Sequence, residues 1–191
     1  MKDHSIYVDQ AIYDTSIVEK YLNTSTVKAS TKFYNTTIPS DMIFTKYDTF
    51  TSDEQVEKLT RELKIHYRAC IGSLIYLLST RVGLSFALHK LEFFSANPGK
   101  VHFEGLLHLL RYIRNKRTLG LKYYADINDA LVSDLLRQAM IKTENHLMDF
   151  SDSSWKDYPD TGISTGAYVI FYQGVQLTMV HIFQDQFLNK V

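Results

Sequence analysis

Apolar residues recur at helical spacing through the middle of the chain and predict three consecutive helices. The first stripe comprises Tyr67, Ile71, Leu74, Ile75 and Leu78. After a break near Val82-Gly83, the second comprises Leu84, Ala87, Leu88, Leu91 and Phe94. Asn97-Pro98-Gly99 is a stop signal, and a third stripe follows with Phe103, Leu106, Leu107, Leu110 and Ile113. Three helices with short joints are expected to pack as a small bundle.

From Leu147 the apolar period changes to that of strands, predicted over 147–152, 165–172 and 174–182. Gly162 and Gly174 mark the turns between them. Shorter strands are predicted at 6–8 and 121–124. Helices followed by an antiparallel sheet make the predicted fold class α+β.

The remaining segments are patterned more weakly. Asp9 is the predicted cap of a helix whose apolar face holds Ile12, Tyr13, Ile17 and Tyr21. A charged surface helix is predicted over 53–63 and a weaker helix over 128–141. The Ser- and Thr-rich stretch 23–53 reads as a long, irregular, exposed connector.

Charge is balanced over the 191 residues but uneven along them. Residues 100–122 carry six basic side chains against Glu104, whereas 123–160 carry eight acidic side chains against three basic ones. A basic segment followed by an acidic one is typical of a protein that binds phosphates with the first and cations with the second. The alternative is two solvated faces.

Cys70 is the only cysteine, which excludes an internal disulfide and a cysteine zinc site. It is expected to be a small core residue, as in a reducing compartment. The N-terminus lacks the apolar stretch of a signal peptide, and no run approaches the ~20 apolar residues of a membrane span. We therefore expect an intracellular protein, in cytoplasm or nucleus, without membrane partners.

Five sequence blocks stand in an order typical of one family. They are YRACIGSLIYL at 67–77, TR at 80–81 with LSFA at 84–87, NP at 97–98 with His102 and LRYI at 110–113, FSDSSW at 150–155, and STGAY at 164–168. Together they resemble the end of the reverse transcriptase and the start of the RNase H domain in the Pol polyprotein of copia-type retrotransposons. The resemblance covers about residues 5 to 174. It implies a thumb- and connection-like helical segment at 1–125, a linker helix at 126–146 and a truncated RNase H-like antiparallel sheet at 147–191.

The resemblance places Asp152 at the first metal-binding carboxylate of an RNase H domain, where Mg²⁺ ions activate water in the intact parent enzyme. No Asp-Asp pair for polymerisation occurs, and the match fails after Gly174, before further catalytic carboxylates. We expect residues 175–191 to be out of frame, and Asp152 alone to hold Mg²⁺ weakly. The chain is therefore predicted to lack activity by itself, whether polymerisation or hydrolysis.

Arg111, Arg114, Lys116 and Arg117 end the third predicted helix. The resemblance implies that they touch the backbone of an RNA/DNA hybrid. The alternative is that they complement the helix dipole or lie along the edge of the core. His102 and His108 lie six apart, so they cannot pair as helical metal ligands, and a surface or core-edge place is expected for both.

The predicted function is that of a copia-type Pol remnant with, at most, weak sequence-independent nucleic-acid binding. Two alternatives stay open. One is a non-catalytic helical module that offers an apolar groove to a protein partner. The other is a non-functional decayed product that self-associates through an exposed sheet edge.

Overall fold

The computed structural model describes residues 5–23, 34–124, 147–154, 161–172 and 175–184. Their helices are α1 (Ala11–Val18), α2 (Asp53–Leu63), α3 (Tyr67–Ile75), α4 (Ser85–Glu92) and α5 (Lys100–Asn115). Their strands are β1 (Ile6–Val8), β2 (Leu121–Tyr123), β3 (Leu147–Ser153), β4 (Ser164–Tyr172) and β5 (Val175–Gln184). A π-helical turn over Glu19–Asn23 prolongs α1, and 3₁₀ turns cover Lys46–Asp48, Tyr76–Ser79 and Val82–Leu84. The fold is α+β, as predicted, while the helix predicted at 128–141 lies outside the described residues.

The chain divides into two compact units. The helical unit comprises Gln10–Leu77 and Leu84–Thr118. The sheet unit comprises Met1–Asp9, Leu78–Gly83 and Leu119–Val191. The domain boundaries drawn from the sequence, at 125 and 146, stay predictions. No helix in the described ranges is both long and apolar enough to cross a bilayer.

The helical unit is built around α5, whose apolar stripe is fully enclosed. Leu106, Leu109, Leu110 and Ile113 have no exposed surface. Most members of the predicted stripes of α3 and α4 are buried as well, among them Tyr67, Ile71, Leu74, Ala87, Leu88 and Leu91. Ile75, predicted in the α3 stripe, is instead 39% exposed, and Cys70 is buried although it was not part of that stripe. Burial raises the pKa of the Cys70 thiol, which is thus the inert core residue that the sequence predicts.

Helix α1 differs from its prediction in both its start and its buried face. Its N-cap is Gln10 rather than Asp9, and the first helical bond runs from the Asp14 N–H to the Gln10 carbonyl at 2.8 Å. Asp14 is fully buried, whereas Ile12 is 90% exposed. Residues 14, 17, 18 and 21 share one helical face, and Ile12 falls on the opposite side of that face.

Within the described residues 34–53, the connector predicted to be exposed has one buried anchor. Phe44 is buried against the ring of Phe94, with their centroids 6.2 Å apart. A tight turn follows, in which the Asp48 carboxylate accepts hydrogen bonds from the Thr45 amide and hydroxyl at 3.0 and 2.7 Å. An aromatic side chain within a polar stretch thus gives this part of the connector a place in the core.

Two antiparallel sheets make up the described strands of the sheet unit. β1 pairs with β2, placing Ile6 opposite Tyr123 and Val8 opposite Leu121. The second sheet has the order β3-β4-β5, so β3 and β5 are its outer strands. The pairing of β4 with β5 slips by one residue between Ile170 and Phe171, which leaves an extra residue in β5. The predicted turn at Gly162 has φ 70°, a conformation that favours glycine.

Candidate nucleic-acid interface

The basic end of α5 is half-buried rather than freely exposed. The Arg111 guanidinium lies over the Tyr34 ring at 5.5 Å, and its Nη1 donates to the Tyr34 hydroxyl at 3.4 Å. The Lys116 N–H closes the helix on the carbonyls of Tyr112 and Ile113, both at 3.1 Å. The Arg111 side chain therefore packs Tyr34 of the connector against α5. Because the guanidinium is held in this contact, it is less free to bind a phosphate.

The other three predicted cations have different surroundings. Arg114, Lys116 and Arg117 are all half-buried, and the Arg117 Nε atom is enclosed without a hydrogen-bond partner in the described part of the chain. Positive charge in this last turn also stabilises the negative end of the α5 dipole. Lys116 carries the most mobile charge of the set, because its ammonium ends a flexible stem.

His108 holds the connector to the same face of α5. Its Nε2 lies 2.8 Å from the Thr36 carbonyl oxygen, and its ring meets Tyr34 edge-on with centroids 4.6 Å apart. A cavity of about 520 Å³ opens beside it, lined in part by Pro39 and Met42. Sequence spacing gave no signal for these contacts, because the paired residues are about 70 positions apart.

His102 is a core residue, so the predicted surface or core-edge place is wrong for this histidine. Its Nδ1 accepts the Gly99 N–H at 2.9 Å, and its ring stacks on Phe94 at 4.1 Å and on Phe44 at 5.5 Å. Burial lowers its pKa to about 4, against a smaller opposing effect of Asp48. The imidazole is therefore neutral at pH 7 and cannot neutralise a phosphate.

This arrangement explains the Asn97-Pro98 block with His102 as a structural motif. The Gly99 N–H is one of the donors that the start of a helix leaves without a helical partner, and His102 satisfies it from the first turn. A side chain at Gly99 would begin 1.6 Å from the Asp48 carbonyl oxygen, so only glycine fits there. This motif therefore begins α5 and allows its first turn to pack closely against Asp48 of the connector.

Asp152 lies near the end of β3 and is exposed. Its Oδ1 accepts the N–H of Ser153 at 2.8 Å. Strand register places Ala167 opposite Asp152, and His181 opposite Ala167 on the far strand. Asp149 is three residues away along β3, so it faces the other side of the sheet, as predicted.

These residues do not fit a two-magnesium centre. The described residues contain no group of three side chains able to hold a metal ion. The ring nearest to Asp152 in its row is that of His181, two strands away, at a backbone separation of about 10 Å. Mg²⁺ prefers carboxylate and water oxygens at about 2.1 Å, so one exposed carboxylate leaves the ion to solvent. Asp157 and Trp155 lie outside the described residues.

Sequence comparison finds relatives among the retrovirus-related Pol polyproteins of copia-type transposons. The polyprotein from transposon RE1 of Arabidopsis thaliana is 28% identical over 107 residues, which cover 55% of this chain and 6% of the polyprotein. That from transposon TNT 1-94 of Nicotiana tabacum is 37% identical over 60 residues, which cover 31% of this chain and 4% of the polyprotein. The chain thus spans a small fraction of the length of these distant relatives.

A relative with a different name matches as well. The secreted RxLR effector protein 161 of Plasmopara viticola is 26% identical over 111 residues, covering 58% of this chain and 67% of that protein. No protein-family model matches the sequence, and no solved structure matches it.

Proposed function

We propose that this chain corresponds to the thumb and connection region and the start of the RNase H domain in a copia-type Pol polyprotein. In this proposal it binds the backbone of an RNA/DNA hybrid without reading sequence and without cutting it. The observation that carries the proposal is the similarity to Pol polyproteins over 107 residues, together with five motif blocks in family order.

Two structural features support a binding role. The helices and the antiparallel sheet follow one another in the order that the resemblance implies. Arg114 in the last turn of α5, its C-cap Lys116 and the following Arg117 place three cations within four positions. Contacts from such side chains to phosphates position a duplex and carry no sequence information.

The absence of catalysis is proposed from the chemistry at Asp152. Hydrolysis by two metal ions requires both ions to be held between the attacking and leaving oxygens. A solitary exposed carboxylate supplies neither the charge nor the geometry for that task.

The test is the salt dependence of binding to a fluorescent RNA/DNA hybrid, measured by anisotropy. The logarithm of the binding constant should fall linearly with the logarithm of the salt concentration, and Lys116→Gln should reduce the slope by about 0.9. Lys100→Gln is the matched control, because Lys100 lies at the other end of α5 and its ammonium is 4.0 Å from Glu104.

Three results would contradict the proposal. The wild-type chain could fail to bind at about 50 mM salt, where phosphate contacts are strong. The two lysine variants could change the slope equally, which would show that the C-terminal end of α5 contributes no more to binding than its start. Cleavage of the hybrid that is lost in Asp152→Asn would show that the chain is catalytic.

The second candidate function is a non-catalytic interaction module. The similarity to the effector protein favours it, because the match covers 67% of a protein that is not named as a polyprotein. In that case the helical unit binds a protein partner and the hybrid assay is negative. A hybrid affinity that persists at physiological salt would exclude it as the main role.

A further inference from the structure

A second basic cluster lies in the helical unit, away from the end of α5. It surrounds a pocket of about 430 Å³ formed by α2, the start of α3 and the connection between α4 and α5. This volume falls in the range of about 300–1,000 Å³ that is typical of small-molecule sites.

Two arginines and a histidine line the pocket. Arg61, His66 and Arg68 are all exposed. Glu57 is the acidic lining residue, and the Arg61 Nε donates to its backbone carbonyl at 3.4 Å rather than to its carboxylate. Within the described residues neither guanidinium forms an ion pair. Two arginine forks are therefore open to an anion from solution.

The pocket also has neutral lining residues, which we call its floor: the apolar side chains of Val56, Ala96 and Pro98 and the ring of Tyr67. The Tyr67 hydroxyl donates to the Leu91 carbonyl at 2.9 Å, and burial raises its pKa, so the phenol stays protonated and engaged. The pocket thus offers two arginines and an imidazole above a surface suited to a sugar or another compact ring.

We propose that this pocket binds a phosphate group. Guanidinium forks match phosphate oxygens in bidentate geometry, and such charge-assisted bonds are about twice as strong as neutral ones. The apolar floor accepts the sugar carried by a phosphate ester. The inference rests on the proposed function for the source of the phosphate, a polynucleotide backbone, while the phosphate chemistry itself stands on the pocket.

The experiment follows backbone amides by ¹H–¹⁵N NMR during two titrations of the full chain. One probe is sodium tripolyphosphate, and the other is a short RNA/DNA hybrid. We expect the amides of Arg68, Ser95 and Ala96 to shift with both probes. The double variant Arg61→Gln/Arg68→Gln should weaken the pocket-specific binding by at least about tenfold, the loss expected from one charge-assisted hydrogen bond. Because both arginines are exposed, the variant should keep its fold.

Lys58→Gln is the control, since Lys58 is an exposed cation on the same helix that does not line the pocket. Its binding constant for either probe should stay within about twofold of the wild type. Pocket shifts with tripolyphosphate alone would support the phosphate site and identify free phosphate compounds as its source, against the proposed hybrid. Hybrid binding with unmoved pocket amides and an unaffected double variant would overturn the inference and leave the proposed function standing. Unmoved pocket amides with both probes would likewise overturn it.

Discussion

The helical unit and the sheet unit bury their apolar residues to very different extents. In the helical unit, eight of the sixteen residues of α5 are buried. In the sheet unit, every residue of β3 except Met148 is exposed, and Leu147 and Phe150 keep 51% and 45% of their surface in contact with solvent. The helical unit therefore has its own core, whereas β3 leaves most of its side chains in contact with solvent and is held to β4 by hydrogen bonds.

This difference bears on function, because the two units hold different candidate chemistry. The cations at the end of α5 and the basic pocket belong to the unit with the closed core. These α5 cations are half-buried, whereas the pocket arginines are exposed side chains on helices that pack into that unit. Asp152 belongs to β3, whose side chains are mostly exposed, and its carboxylate accepts a hydrogen bond from the neighbouring Ser153 N–H. The binding that we propose therefore draws on the better-packed unit.

The largest expected effect comes from removing core volume in each unit. Leu110→Ala should lower the free energy of unfolding by about 2–5 kcal/mol, because it opens a cavity in a fully enclosed site. Phe150→Ala in β3 should cost less than about 1 kcal/mol, since the ring is partly solvated and meets Phe171 only edge-on at 6.0 Å. Urea unfolding followed by circular dichroism measures both. Equal losses would show that the sheet unit buries Phe150 in solution and that the contrast between the units is wrong.

Acid should weaken the helical unit through His102. Its pKa is about 4 in the folded chain and near 6.5 when unfolded, so the unfolded state binds the proton more tightly. The stabilisation is complete above about pH 6.5 and is lost as the pH falls towards 4, by an amount on the order of 3 kcal/mol. Urea midpoints between pH 4 and 7 measure the slope.

His102→Gln should be less stable at pH 7 and should show a flatter profile between pH 6.5 and 4. His108→Gln is the matched control, because His108 lies on the same helix outside the closed core and should leave the slope unchanged. Parallel profiles for the wild type and His102→Gln would mean that the acid sensitivity arises elsewhere. Hydrogen exchange at the amides of α5 then tells whether the helical unit is the part that opens first.

Much of the secondary structure could be predicted from the apolar period. The bounds of α2 match their prediction, and those of β3, β4 and β5 agree within two residues. Periodicity works there because one stripe or one alternation dominates each segment. In α1 it placed Ile17 and Tyr21 correctly and Ile12 wrongly, because tertiary packing turns the buried face towards Asp14 and leaves Ile12 exposed.

The candidate sites were less accessible to sequence reasoning, because they depend on contacts between distant positions. Arg111 and Tyr34 are 77 residues apart, and no local pattern reveals that the connector occupies this guanidinium. The basic pocket combines Arg61 and Arg68 from two helices whose relative placement the pattern does not specify. In the sequence, His102 is a polar residue next to the apolar stripe of α5. Its burial is explained only by the hydrogen bond that its Nδ1 accepts from the Gly99 N–H.

The smallest expected effect lies at the end of α2, where Lys64 adopts φ 55° in the left-handed region. A residue with a side chain pays about 1–2 kcal/mol for this conformation, whereas glycine adopts it freely but loses about 0.5–1 kcal/mol of chain entropy on folding. Lys64→Gly should therefore raise the free energy of unfolding by about 0.5 kcal/mol. Lys58→Gly, in the regular part of the same helix, should lower it by about 0.5–1 kcal/mol. A gain at Lys64 shows that α2 takes part in the cooperative unfolding of the helical unit. Two unchanged urea midpoints would instead mean that α2, which has no buried residue, opens independently of the α5 core.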